Sequence, residues 1–202
     1  MIELDEYDRA EIRSTGVEWN QLHTPPRFTG ATTTHPELKA WIAELATTAQ
    51  QTCRAGLPRV TTGRSLVILG PVGTGKTHQA YGALRDLALS GVVCKWRAIT
   101  EAALLRSMRP GGPIDAPADF DALVKAPALL LDDLGTEKRS EWNEAILLDL
   151  IDSRYTQLRP TLITSNVKQR EFTDTFGPRI TSRLAEMATT ITLLGDDLRR
   201  RP

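Results

Sequence analysis

The stretch LVILGPVGTGKTH, an apolar run at 66–69 followed by a glycine-rich turn and a lysine–threonine pair, restricts this chain more than any other feature. A loop nearly free of side-chain bulk aims several backbone N–H groups at one point. A helix opening directly after it adds a positive end, so the arrangement suits a phosphate chain. Gly70, four residues, then Gly75-Lys76-Thr77 is the phosphate-loop spacing. Gly70, Pro71, Val72, Gly73, Thr74, Gly75, Lys76, Thr77 and His78 are therefore the candidate nucleotide-binding segment. Lys76 is expected to reach the β- and γ-phosphates and Thr77 to coordinate Mg²⁺. The bland alternative, a strand-to-helix turn with glycines for steric reasons alone, is weakened by context, because a strand pattern precedes the loop and an amphipathic pattern follows it.

Such a unit needs a sheet around it. The runs LVIL (66–69), VVCKW (92–96), ALLL (128–131), TLIT (161–164) and TITLL (190–194) read as five strands. Amphipathic stretches at 76–90, 100–108, 119–125, 141–158 and 177–187 read as the helices between and after them. Strands alternating with helices predict an α/β fold with a mainly parallel sheet covered on both faces, where fully apolar strands belong. In the 141–158 helix, Leu147, Leu150, Ile151 and Leu158 form the inward stripe. Ser140 caps its start, Trp142 anchors the first turn, Pro160 stops it, and its charged groups face outward.

An earlier helix is expected over 37–54, with Leu38, Ile42, Leu45 and Ala49 on one face. Residues 1–36 are the least regular part. They predict a short helix near Leu4 to Arg13 and then an extended surface segment, together an N-terminal arm that is partner-binding or partly disordered, with 37–202 as the body.

At 202 residues with 41% hydrophobic and 25% charged residues, the chain suits one domain with a short extension. Lysine plus arginine equals aspartate plus glutamate, 25 each, so a basic binding surface must be local. Cys53 and Cys94 stand far apart without Cys or His at ligand spacing, and buried thiols are the expected reading. No apolar run reaches membrane length and the acidic start is no secretion signal. The expectation is a soluble cytoplasmic protein with no membrane partner.

A phosphate loop only binds; turnover needs further groups at neighbouring strand ends. ALLLDDLG at 128–135 supplies an apolar strand ending in two carboxylates. Asp132 is the candidate for the Mg²⁺ shell and Asp133 for polarising the attacking water. LITSN at 162–166 ends a strand with Asn166, a candidate for orienting water or sensing the γ-phosphate, while Thr164 and Ser165 also suit simple strand-end caps. FGPRITSRLAEM at 176–187 places Arg179 and Arg183 four residues apart, on one helical face. An arginine reaching a neighbouring subunit's phosphate would stabilise transition-state charge, whereas a surface pair with Glu186 or Glu171 is the plain alternative. Arg97, Arg106, Arg109, Lys138 and Arg139 are candidate contacts for single-stranded DNA, with Trp96 the one aromatic beside them.

With these blocks in this order, the chain resembles AAA+ ATPases of the DnaC/IstB-like helicase-loader type from about TPPRF (24–28) to the end. GPVGTGKTH looks like the family's Walker A segment and LLLDDLG its Walker B, with Asp133 where Glu is commoner. LITSN resembles its sensor 1, and SRL, through Arg183, its arginine finger. The resemblance implies a P-loop three-layer sandwich with a five-stranded parallel sheet and a reduced or absent C-terminal lid. It also implies ATP and Mg²⁺ as ligands, ATP-driven self-association, and action on single-stranded DNA or a DNA-bound partner. That partner would be a replicative helicase or, alternatively, a transposition recombinase; a small-molecule kinase is the rival use of the same loop. Arg199 is the candidate for sensor 2.

Overall fold

The computed structural model describes residues 4–109, 116–195 and 197–198. Its helices are α1 (Glu6–His23), α2 (Pro36–Thr52), α3 (Lys76–Ala88), α4 (Glu101–Ser107), α5 (Ala116–Lys125), α6 (Glu141–Thr156) and α7 (Phe172–Met187). Its strands are β1 (Ser65–Leu69), β2 (Arg97–Thr100), β3 (Leu129–Leu134), β4 (Thr161–Ser165) and β5 (Ala188–Thr192). All four strand pairings are parallel, in the order β2-β3-β4-β1-β5.

Alternate residues of the central strands serve opposite faces of the sheet. Leu66, Ile68, Leu130 and Leu162 pack with α2 and α3, while Val67, Leu69, Leu129, Leu131 and Ile163 pack with α6 and α7. This is the expected three-layer sandwich. Its chemistry lies at the carboxyl edge of the strands, because β1 runs into the glycine loop and β3 and β4 end beside it.

Two strands sit elsewhere than the apolar runs predict. Val92, Val93, Cys94 and Trp96 are buried, yet this stretch makes only an isolated bridge between Val93 and Arg59. Ladder pairing with β3 begins at Arg97, opposite Leu129. The run is apolar because it packs under α1 and α3, not because it joins the sheet. At the other edge, pairing with Ser65–Leu69 sets β5 at Ala188–Thr192, and Leu194 lies beyond it, 83% exposed.

Helix α1 is longer than the sequence predicts. A reciprocal capping box starts it: Asp8 N–H donates to Asp5 Oδ1 at 2.7 Å and Asp5 N–H to Asp8 Oδ2 at 3.3 Å. The helix then continues past Arg13 to His23, because its second half docks on the body. Trp19 Nε1 donates to the Trp96 carbonyl at 2.8 Å, and Trp96 Nε1 donates to Asn20 Oδ1 at 3.0 Å. Trp96 is fully buried by this contact, so it is no stacking platform for DNA. The following segment is also anchored, with Phe28 stacked on Tyr81 of α3, ring centroids 4.6 Å apart.

Gly16 is where α1 comes closest to α3, and a Cβ there would run into the Ala88 carbonyl. Gly16→Ala is expected to lift α1 and destabilise the fold by about 1–3 kcal/mol, read by urea denaturation. Amide exchange should quicken along α1 first. Unchanged stability with unchanged α1 exchange would contradict the docking.

The sequence places the charges of α6 outward, but Arg154 is fully buried. Its guanidinium donates to the carbonyls of Leu123 (2.7 Å), Val124 (3.0 Å), Ala126 (3.0 Å) and Pro160 (2.7 Å), and to Thr161 Oγ1 (2.8 Å). Arg159 Nη1 donates to the Lys125 carbonyl at 2.7 Å. All of these carbonyls but that of Pro160 lie at the C-terminus of α5, where cations are favoured. Burial, followed by the charge of Arg159, pulls the Arg154 guanidinium down to about 9. Leu158, expected in the inward stripe, lies past the helix end at φ +52° and is 66% exposed. Ser140 caps the helix as expected, its Oγ accepting from Asn143 N–H at 3.1 Å.

Helix α7 begins at Phe172, before the expected 177, with a kink at Gly177 (φ +79°) and Pro178. Cys94 is buried as expected, but Cys53 is partly exposed.

Candidate active site

β1 ends in the glycine loop, where Gly70, Gly73 and Gly75 take φ values of +151°, +84° and +89°. Gly75 is the N-cap of α3, so Lys76 and Thr77 open that helix. Such φ values bend the chain tightly with backbone N–H groups free of side-chain bulk.

Lys76, only 5% exposed, donates from Nζ to the carbonyls of Gly70 (2.9 Å) and Pro71 (2.8 Å) and to Asn166 Oδ1 (2.6 Å). The glycine loop and the end of β4 thus meet, Asn166 being the residue that follows that strand.

Thr77 Oγ1 donates to Asp132 Oδ1 at 3.0 Å, and Thr164 Oγ1 donates to the same oxygen at 2.5 Å. Asp132 is 6% exposed. Burial raises its carboxyl above the ordinary range, and the two hydroxyls and the amide of Asp133 pull it partly back. A hydroxyl and a carboxylate side by side are hard oxygen donors of the kind Mg²⁺ takes alongside phosphate and water. Among the described residues no group of three or more His, Cys, Asp or Glu could hold a metal ion. The donor set fits magnesium carried with a nucleotide.

Asp133 adopts φ +56°, uncommon for a residue with a side chain. Its N–H donates to Thr164 Oγ1 at 2.9 Å and its carbonyl accepts from Thr136 Oγ1 at 3.0 Å. Just beyond, Glu101 Oε2 accepts from the N–H groups of Gly135 (2.8 Å), Thr136 (3.0 Å) and Glu137 (3.4 Å). Glu101 is 3% exposed, and burial raises its carboxyl against the opposing pull of those amides. Sequence reasoning missed Glu101, which carries no local signal beyond a carboxylate in the first turn of a helix.

After β5 the backbone returns across the glycine loop. Leu198 N–H donates to the Gly73 carbonyl at 3.0 Å, and the Asp197 carboxylate lies where a side chain on Gly73 would stand. Arg199, the sensor 2 candidate, lies outside the described residues.

The remaining candidates are spread around this centre. Pro71, Val72 and His78 are exposed along the loop and α3, and Thr74 turns inward to donate to the Pro71 carbonyl at 2.9 Å. Arg183 on α7 pairs with Asp152 of α6, not with Glu186 or Glu171, and lies over the Tyr155 ring; its Nη1 donates to the Arg179 carbonyl at 3.1 Å. Arg179 itself is exposed. Among the DNA candidates, Arg97, Arg106, Arg109 and Lys138 are exposed, while Arg139 is tied to Glu144 (2.9 Å) and the Asp174 carbonyl (2.8 Å). Arg97 begins β2, about 10 Å along the strand from the carboxyl edge, so the five do not share one strand end.

A parallel sheet carrying a glycine loop before α3, a threonine–aspartate pair and an asparagine at the next strand end defines a P-loop AAA+ fold. Residues 39–201 match the model of the IstB-like ATP binding proteins, and the chain belongs to that family. It is 28% identical over 122 residues to the replicative helicase loader DnaC of Escherichia coli K12, an alignment covering 59% of this chain and 49% of that protein, and equally to that of Shigella flexneri. The alignment thus spans about half the length of these relatives. The crystal structure of the DnaC helicase loader superposes with a TM-score of 0.67 at 19% identity, covering 84% of this chain and all of that one. The structure of DnaI gives 0.67 at 20%, covering 90% of this chain and all of that one. AMPPCP-bound DnaA from Aquifex aeolicus gives 0.60 at 17%, covering 87% and 53%. Among the described residues no helix is long and apolar enough to cross a membrane.

Proposed function

We propose that this protein is a cytoplasmic, Mg²⁺-dependent ATPase that loads a replicative helicase onto DNA and hydrolyses ATP when assembled with its own copies. The contact that carries the reading is Lys76 Nζ on Asn166 Oδ1, beside the Thr77–Asp132 pair, which gathers the ends of β1, β3 and β4 at one point. Thr77 and Asp132 would hold magnesium, which supplies charge neutralisation at the phosphates. Lys76 would neutralise phosphate oxygens, Asp133 would take a proton from the attacking water, and Asn166 would orient that water. The likeness to DnaC proteins supports the helicase as partner. The IstB-like family model favours a second reading, a helper ATPase that directs a transposition recombinase.

Capture from the native host with ATP-loaded protein, Lys76→Ala as control, separates the two. Recovery of the replicative helicase only with the ATP-competent chain supports the loader; recovery of a recombinase overturns it. Single-stranded DNA contact through Arg106, Arg109 and Lys138 would be weak and salt-sensitive, since phosphate neutralisation without stacking supplies it. Fluorescence anisotropy with labelled oligonucleotides checks this, and equal preference for duplex would count against it.

Arg183 is the proposed trans-acting group, parked on Asp152 in the free chain. Arg183→Ala should lower turnover about 10- to 100-fold with little change in ATP affinity. Mixing Arg183→Ala chains with Lys76→Ala chains should restore activity at mixed interfaces. Co-assembly without recovery would remove Arg183 from the mechanism and leave Arg179 as the candidate.

A further inference from the structure

We propose that Glu101 is a positioning residue for hydrolysis, its buried carboxylate holding the backbone of Gly135–Glu137 and thereby fixing Asp133. The inference rests on the ATPase reading for its consequence, though not for its geometry. Three consecutive amides converge on one oxygen, Oε2, which is the anion-binding arrangement of a backbone nest. Here the anion is a side chain of the same molecule.

The nest depends on Gly135, which sits at φ +91° and whose Cβ would strike Val167 and Phe176. Two residues earlier, Asp133 sits at φ +56°, and such backbone persists only where surrounding contacts over-determine it. Those contacts are visible. Thr164 receives the Asp133 amide, Thr136 Oγ1 donates to the Asp133 carbonyl, and Thr136 N–H is itself held by Glu101. Losing the carboxylate frees Thr136 and, through it, one of the two restraints on Asp133.

The connection also spans the sheet edge. β2 and β3 run in register with Thr100 opposite Asp132, so the residue after β2 is the one able to reach over the end of β3. Thr100 Oγ1 accepts from Ala103 N–H at 3.2 Å, which sets the first turn of α4 and with it the direction of Glu101. The glycine loop joins these contacts only at their far end, through Thr77, Asp132 and Thr164. A change at Glu101 should therefore separate turnover from nucleotide affinity, which a general loss of folding would not do.

The test compares wild type, Glu101→Gln and Glu101→Ala. Charge-assisted hydrogen bonds are roughly twice as strong as neutral ones, so Gln, which keeps an acceptor oxygen, should hold the loop partially. Turnover is expected to fall about tenfold in Glu101→Gln and further in Glu101→Ala, with ATP affinity within about threefold of wild type. Amide hydrogen exchange of Gly135–Glu137 should quicken about tenfold while Leu129–Leu131 of β3 stay protected. Unchanged exchange in the loop would overturn the role of Glu101, and so would equal losses of turnover and affinity. The exchange measurement needs no nucleotide, so its failure is distinct from that of the ATPase reading, which would show as absent turnover in wild type. Glu101→Gln keeps the experiment decisive should Glu101→Ala fail to fold.

Discussion

Replacing Lys76 by alanine is expected to lower ATP affinity at least about 100-fold, whereas Asp133→Asn should keep affinity within about threefold and lower turnover about 100-fold. The asymmetry follows from position. Lys76 is almost wholly buried beneath the loop, and its ammonium already meets the carbonyls of Gly70 and Pro71 and the amide oxygen of Asn166. An alanine there removes the cation proposed to face the phosphates and also leaves three acceptors short of a donor, so binding itself should suffer. Asp133 lies one residue past the Thr77–Asp132 pair, and Asn is nearly isosteric while accepting a proton poorly. Its loss therefore falls on the chemical step. Fluorescent-nucleotide titration and phosphate release on the same preparations read the two quantities. Loss of binding in Asp133→Asn, or full binding in Lys76→Ala, would reverse the assigned roles.

Arg154→Leu is expected to destabilise the fold by about 3–5 kcal/mol. The guanidinium serves four carbonyls and one hydroxyl in a fully buried setting, and leucine fills much of the volume while satisfying none of them. The carbonyls of Leu123 and Pro160 keep the amides of Ala126 and Leu129, whereas those of Val124 and Ala126 lose their donor and carry the desolvation penalty. For a chain of this size the corresponding fall in melting temperature is about 6–20 °C. Arg154→Lys should fall between, since an ammonium has three donors and no planar fork. Urea denaturation of the three proteins checks the order. Equal stability of wild type and Arg154→Leu would mean that the α5 carbonyls find water instead.

Asp152 and Tyr155 share α6 with Arg154, and there the same helix faces another way. Arg183 of α7 rests on Asp152 and over Tyr155, so α6 holds one arginine inside the fold and a second at its surface. The first is structural by burial, while the second remains available to a neighbouring chain in the proposed assembly.

The local chemistry of the chain was legible without a structure. The strand–loop–helix at 65–88, the cap at Ser140, the acidic end of β3 and the threonine–serine–asparagine end of β4 all follow from short-range rules. Glycine permits positive φ, proline and capping residues punctuate helices, and apolar runs between them seek burial on both faces of a sheet. Those rules act over a few residues, and their alternation along the chain also gives the parallel α/β class. They could not separate an apolar run that joins the sheet from one that packs beneath helices, and Val92–Trp96 was read as a strand for that reason.

Contacts between distant segments decided the rest. α1 extends to His23 because Asn20 and Trp19 find Trp96, some seventy-odd residues later in the chain. Arg154 is buried because the orphan carbonyls of α5 lie in its reach, and Glu101 is buried because the Gly135–Glu137 amides need an acceptor. A charged side chain is placed by the partners that can replace its water, and those partners come from other elements. The sequence alone therefore marked the candidate residues for a phosphate chain. Only the tertiary structure decided which charged groups hold that chemistry in place, because desolvation balanced by hydrogen bonds depends on what the fold brings alongside.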